Sequence, residues 1–113
     1  MPLRVAVVQA GSVPWDTPAT LLKLDHWTGA AAAAGAQLVV FPEAFVGGYP
    51  KGLDFGVTVG RRRAEGRQMF ARYAEGAIEA PAPLAAVAAT HNVWLVVGAI
   101  ERAGGTLYCT VYY

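Results

Sequence analysis

The sequence has 113 residues, which is enough for one domain with one hydrophobic core and too few for two. It is 55% hydrophobic and only 15% charged, against roughly 25% charged in a typical soluble domain, so surplus apolar surface must be covered. A net charge of +1 gives no electrostatic reason to expect a nucleic acid or an anionic membrane as partner, and the apolar runs are too short for a membrane span. The single cysteine, Cys109, fits a reducing compartment, which predicts a cytoplasmic location.

The first part of the chain predicts a strand, a helix and a second strand. Leu3 to Ala10 is apolar on both alternating faces, which is typical of a strand covered on both sides. A helix is predicted from a cap at Asp16 or Thr17 to about Ala34. "QLVVF" follows as a short strand, so the three elements predict a parallel unit with a crossover helix. Helical spacing predicts the buried stripe of the helix at Leu21, Leu24, Trp27, Ala31 and Ala34.

The second part of the chain predicts a loop, two helices and a hairpin. Residues 46–60 contain five glycines and a proline and are predicted to be a loop. Helical spacing is weak over residues 61–78 and clearer over residues 84–92, where Asn92 can end the helix in a left-handed conformation. Two apolar strands with a glycine turn between them, in residues 93–113, predict an antiparallel hairpin.

Glu43 is the candidate functional residue, because it follows the second predicted strand of a parallel unit. Open parallel sheets bind ligands outside the carboxyl ends of their strands, so this carboxylate is either a working group or a solvated or capping side chain. Its apolar neighbours, Phe41 and Phe45 among them, indicate a desolvated carboxylate suited to general-base chemistry. Gly47 and Gly48 would let the loop fold closely around whatever Glu43 faces.

The segment "GAQLVVFPEAFVGGYP", residues 35–50, resembles the first signature of the nitrilase family of carbon–nitrogen hydrolases. A glycine, an aliphatic run, the glutamate and a terminal Gly-Tyr-Pro recur there at this spacing. "LRVAVVQAG" resembles the first strand of the family, and "VVGAIERAGGTLYCTVYY" resembles its hairpin. The resemblance therefore spans essentially the whole chain, and residues 1–113 are expected to be the amino-terminal part of a single, truncated domain.

The resemblance implies an α/β fold, the first half of a four-layer α-β-β-α sandwich, in an enzyme that forms a homo-oligomer. It implies a Glu-Lys-Cys triad with Glu43 as general base, acting on a small-molecule nitrile or amide, and the motif favours a nitrile that yields a carboxylic acid and ammonia. Tyr49 is a candidate substrate-binding residue. Neither a metal nor an organic cofactor is implied. The triad lysine and cysteine have no counterparts in this sequence, so the chain alone is predicted to be inactive.

Other reactive side chains are given structural interpretations. Lys51 is interpreted as a solvated loop residue and Cys109 as part of the core, since a buried cysteine behaves as a small hydrophobe. His26 and His91 have no partner at a useful spacing and are assigned no catalytic role. Arg61 to Arg63 is interpreted as a solvated face, because the run is too short for a nucleic-acid footprint.

Two further hypotheses compete with the enzyme. The chain could be a non-catalytic subunit or assembly module that pairs with longer copies, and within the family an amidase or a carbamoyl hydrolase stays open. A generic nucleotide-binding unit is disfavoured, because no glycine-rich phosphate loop follows the first strand.

Overall fold

A computed structural model describes residues 2–58 and 61–113. Strands and helices alternate along the first part of the chain, and a long hairpin ends it. No helix within these residues has both the length and the apolar character that crossing a bilayer requires. The elements are β1 (Val5–Val7), α1 (Thr17–Ala33), β2 (Leu38–Val40), β3 (Val57–Thr58), β4 (Arg61–Arg62), α2 (Ala64–Glu75), α3 (Ala82–His91), β5 (Trp94–Ala103) and β6 (Thr106–Tyr112).

The main sheet has the strand order β1-β2-β5-β6. β1 pairs in parallel with β2, and β2 with β5, so the predicted unit with α1 as crossover is confirmed. β5 and β6 are antiparallel, and Ala103 pairs with Thr106 across the two-glycine turn. The predicted hairpin is therefore confirmed, and the fold class is α/β.

Helix α1 begins as predicted and buries part of the predicted stripe: Leu24 is buried, and Leu21 and Ala31 pack partly buried against the core. The Asp16 carboxylate caps it by accepting the Ala19 N–H at 2.9 Å. The buried row is Thr20, Leu24 and Thr28, while Trp27 is 42% exposed, so its predicted burial is wrong. Threonines can occupy this row because their hydroxyls bond to carbonyls one turn earlier, Thr28 to Leu24 at 2.7 Å.

One face of the sheet is covered by helices and the other is open. On the covered face, Val39, Leu95 and Val97 belong to the same buried core as α1 and α3. On the open face, Val5 and Trp94 flank Leu38 in register, and Trp94 is 76% exposed. The expectation that β1 is covered on both faces is therefore wrong for this chain, which has the α-β half of the predicted sandwich.

The segment between β2 and α3 contains more structure than the predicted loop. β3 and β4 form a two-stranded hairpin that includes part of the arginine run, and Val59 and Gly60 of the predicted loop lie outside the described residues. Helix α2 then packs directly on the preceding loop. The contact is so close that a Cβ at Gly66 would lie only 1.8 Å from the Phe55 carbonyl oxygen. Helix α3 ends at Asn92, whose φ of 50° confirms the predicted left-handed termination.

Candidate active site

The Glu43 turn is a bulge held to strand β5 at both ends. Before it, the Phe41 N–H donates to the Val96 carbonyl at 2.8 Å. After it, the Val46 N–H donates to the Gly98 carbonyl at 3.1 Å, and the Val46 carbonyl accepts from Ile100 at 2.8 Å. The chain between these anchors leaves the plane of the sheet beyond the carboxyl end of β2, as the sequence predicts, and presents the exposed side chain of Glu43.

The turn lies in direct contact with the backbone of Gly98. A Cβ at this position would come within 2.4 Å of the Pro42 carbonyl oxygen and 2.5 Å of the Glu43 Cα, distances that real side chains do not reach. Ala44 has a φ of 50°, a left-handed conformation that costs free energy in a residue with a Cβ. Strain of this kind persists only where the surrounding structure imposes it, and it concentrates at functional sites.

Two adjoining cavities of about 450 and 460 Å³ meet at this turn. A larger cavity, about 510 Å³, lies beside α3 and has no charged side chain in its lining, so it is not the candidate site. Tyr49 is 63% exposed at the mouth of both adjoining cavities, and its role in substrate binding stays a prediction. Residues that line both are Glu43, Ala44, Tyr49, Lys51 and Tyr73.

Glu43 is exposed in this chain, so the predicted desolvation is not provided by its own neighbours. Phe41 and Phe45 point instead into the core on the covered face of the sheet, where both are buried and their rings lie 5.0 Å apart. Strict strand alternation would place residues 41, 43 and 45 on one face, but the turn at residues 43–45, with Ala44 at a φ of 50°, interrupts that alternation. The carboxylate therefore faces the open side of the sheet.

Cys109 contradicts its predicted place in the core. It pairs with Ile100 on the open face, is exposed, and its Sγ donates to Glu43 Oε1 at 3.3 Å. Partial desolvation raises the pKa of the Cys109 thiol, and the hydrogen bond to Glu43 and the Glu43 charge raise it further. A lowered pKa is typical of a nucleophilic cysteine, so the direction of this shift gives no support to Cys109 as the nucleophile.

The remaining reactive side chains are exposed or make structural contacts. Lys51 is exposed, as predicted, although it also lines both cavities. The expectation that neither histidine has a partner is wrong for His91, whose Nε2 lies 2.8 Å from Asp25 Oδ1 and joins α3 to α1. His26 is exposed and lies edge-on to Trp27. Arg62 and Arg63 are exposed, and Arg63 lies 3.9 Å from an Asp54 oxygen.

Two aromatic residues at the site were not predicted from the sequence. Tyr73 reaches the glycine loop from α2, and its hydroxyl donates to the Gly48 carbonyl at 2.7 Å. Trp15 lines the first cavity and meets Tyr73 edge-on, with ring centroids 6.4 Å apart. Tyr73 lies within residues 61–78, where the sequence predicts a helix only weakly, and nothing in the sequence indicates which loop α2 contacts. Within residues 2–58 and 61–113, no cluster of three or more His, Cys, Asp or Glu side chains is placed to hold a metal ion.

Comparison with known proteins agrees with this geometry. Residues 4–113 match the carbon–nitrogen hydrolase family model. The chain is 53% identical to a bifunctional nitrilase/nitrile hydratase of Nicotiana tabacum over 98% of its length and 33% of that protein. It is 52% identical to an aliphatic nitrilase of Sinorhizobium fredii (strain HH103) over 97% of its length and 37% of that protein. The chain thus spans about a third of the length of the curated relatives it matches.

The fold matches a solved structure as well. The crystal structure of an amidase from Nesterenkonia sp. superposes with a TM-score of 0.61 at 25% identity, over 90% of this chain and 34% of the amidase. The partial sandwich described above is therefore the architecture of this chain.

Proposed function

Because the chain belongs to the carbon–nitrogen hydrolase family, we propose that it supplies the general base, Glu43, of an enzyme that hydrolyses a nitrile to a carboxylic acid and ammonia. One observation carries the proposal. Glu43 stands within the family motif, on a strained turn at the carboxyl end of a parallel strand, and faces two adjoining cavities. The domain of residues 1–113 is then the amino-terminal part of a longer catalytic domain.

The proposed reaction has two stages in which Glu43 accepts a proton. It first deprotonates a cysteine thiol, whose thiolate adds to the nitrile carbon and forms a covalent thioimidate. In the second stage two waters, each deprotonated in turn by Glu43, attack this carbon. The first expels ammonia and leaves a thioester, and the second breaks the carbon–sulfur bond to release the acid and the free thiol, with Glu43 returning each proton to the leaving group. The lysine of the triad stabilises the tetrahedral charge. Both partners are proposed to lie in sequence beyond the 113 residues.

The exposure of Glu43 is consistent with this arrangement. A general base works best when its proton affinity matches the operating pH, and desolvation is one way to achieve that match. Glu43 faces the open side of the sheet, where Trp94 and its neighbours expose apolar surface. We propose that the rest of the domain covers this side and desolvates the carboxylate, and that the chain alone is inactive.

A nitrile is preferred to an amide as substrate because the two relatives cited above, which are more than half identical to this chain over the aligned residues, carry the word nitrilase in their names. The amidase match is at 25% identity and supports only the fold and the wider reaction class. A homo-oligomer is proposed on the family resemblance, and a cytoplasmic location on the single cysteine. The competing proposal is a non-catalytic module that pairs with longer copies. The open sheet face is the one observation that favours it.

The test is ammonia release from matched nitrile and amide substrates by the complete protein that contains this chain. We expect turnover of the nitrile, and its loss in Glu43→Gln, which keeps the shape of the side chain and removes its basicity. Glu65→Gln is the control, because Glu65 is an exposed glutamate of α2 that lines neither cavity. Turnover that persists in Glu43→Gln refutes the assignment, and turnover of the amide alone replaces nitrile by amide as the substrate class.

A further inference from the structure

Tyr73 and Gly66 are the two buried residues of α2. The side chain of Tyr73 is 7% exposed, whereas Met69 and Phe70, its neighbours on α2, are exposed. It belongs to a small buried cluster with Ala44 and Ile100 on the open face of the sheet. Tyr73 therefore packs directly against the residue that follows Glu43.

The Tyr73 hydroxyl binds a loop whose own backbone bond is local, from the Gly48 N–H to the Ala44 carbonyl at 3.0 Å. Gly47 and Gly48 have φ values of 104° and 87° and no side chains with which to pack. Tyr49, the next residue, is largely exposed and cannot anchor the loop by its own burial. The hydrogen bond from Tyr73 to the Gly48 carbonyl, at 2.7 Å, joins this loop to a helix 25 positions further along the chain.

The helix that carries Tyr73 is itself fixed. Its ring packs against Trp15 on one side and Phe55 on the other, with ring centroids 6.4 and 5.4 Å away. The Thr17 hydroxyl, at the start of α1, donates to the carbonyl of Gly76 at 2.6 Å and so holds the end of α2. Burial raises the pKa of Tyr73 to about 12, so the phenol remains a hydrogen-bond donor throughout the neutral range.

We propose that Tyr73 is a positioning residue, which holds the Gly47–Tyr49 loop against the Glu43 turn and so fixes the wall of the cavity. It acts through the loop and not on the substrate. The inference deepens the proposed function, because the site it organises is the nitrile-hydrolysing one. The loop contact itself is a claim about structure that can be tested separately from activity.

The experiment compares Tyr73→Phe with Tyr112→Phe in the complete protein. Each variant loses one buried or partly buried phenol hydroxyl, and Tyr112 is the matched control because its hydroxyl binds Glu101 Oε2 at 2.6 Å, away from both cavities. Two readouts are taken: hydrogen exchange of the peptide that covers residues 46–53, and kcat and KM for the nitrile.

We expect Tyr73→Phe to speed exchange of this peptide and to lower kcat by about 10- to 100-fold, as small misplacements at a reacting centre do, with KM little changed. Tyr112→Phe should leave both readouts as in the parent. Unchanged exchange in Tyr73→Phe overturns the proposal, and so does an equal loss of kcat in both variants, which indicates a general loss of structure. If the parent turns over no nitrile, the proposed function fails, and exchange alone decides whether Tyr73 holds the loop.

Discussion

The thiol of Cys109 lies 3.3 Å from a carboxylate oxygen of Glu43, although 66 positions separate them in the chain. The distance between the two groups is that of a base and a nucleophile, but the raised pKa of the Cys109 thiol keeps its sulfur protonated. The thiol is a hydrogen-bond donor to the carboxylate.

Cys109→Ala is therefore expected to preserve ammonia release, since the proposed nucleophile lies elsewhere. Alkylation of Cys109 by iodoacetamide near neutral pH should be slower than that of a free cysteine and should accelerate in Glu43→Gln, which removes the charge that holds the proton. Peptide mass spectrometry measures the modified fraction at this position. Abolished turnover in Cys109→Ala, in a protein that is still folded, would make Cys109 part of the catalytic machinery.

Gly98→Ala should displace the Glu43 turn, because the added Cβ would overlap the backbone of Pro42 and Glu43. Overpacking of this kind costs about 1–3 kcal/mol of unfolding free energy, and we expect kcat to fall as well. Gly105→Ala is the matched control, since a Cβ there meets nothing within 4 Å. Denaturant unfolding and nitrile turnover would show the difference, and equal behaviour of the two variants would contradict the close contact described.

The parallel unit, the hairpin and the place of Glu43 could be predicted because each depends on local pattern. Alternating apolar residues, a capping aspartate and a two-glycine turn act over a few residues. The surroundings of Cys109 could not be predicted, because its strand register shows which residues share a face but not which face is covered. Trp27 was misplaced for a related reason: spacing indicates a stripe, while the neighbouring elements decide which side of the helix is buried.

Two tyrosines should make the stability of the fold sensitive to alkaline pH. Burial, the first cause in both cases, raises the pKa of Tyr73 and of Tyr112 from 10.0 to about 12, and in Tyr112 the bond to Glu101 adds to the effect. Because the folded form holds these protons more tightly, this contribution is complete below pH 10 and is lost as the pH rises to 12.

Urea unfolding between pH 9 and pH 12 should therefore show a decline in the free energy of unfolding above pH 10. The decline should be smaller in Tyr73→Phe and in Tyr112→Phe, each of which removes one of the two groups. Absorbance at 295 nm follows tyrosinate formation in the same samples. Equal declines in the parent and both variants would mean that neither phenol has a raised pKa in the folded protein.

The Asp25–His91 contact is expected to stabilise the packing of α1 against α3 without affecting catalysis. Partly exposed ion pairs contribute about 0–1 kcal/mol, so His91→Gln should lower the free energy of unfolding by an amount in this range and leave kcat unchanged. His26→Gln is the control, because His26 is an exposed histidine of α1 outside this contact. A large loss of turnover in His91→Gln would assign this histidine a role beyond packing.

The backbone partners of the Glu43 turn are synthesised well after the turn itself. Val46 binds the backbone of Gly98 and Ile100, so the turn lacks its support until that part of β5 has left the ribosome. At about 5–20 residues per second, the wait is on the order of several seconds. During this interval the Glu43 turn is present in the nascent chain but not yet folded, and the aromatic residues around it are accessible to chaperones.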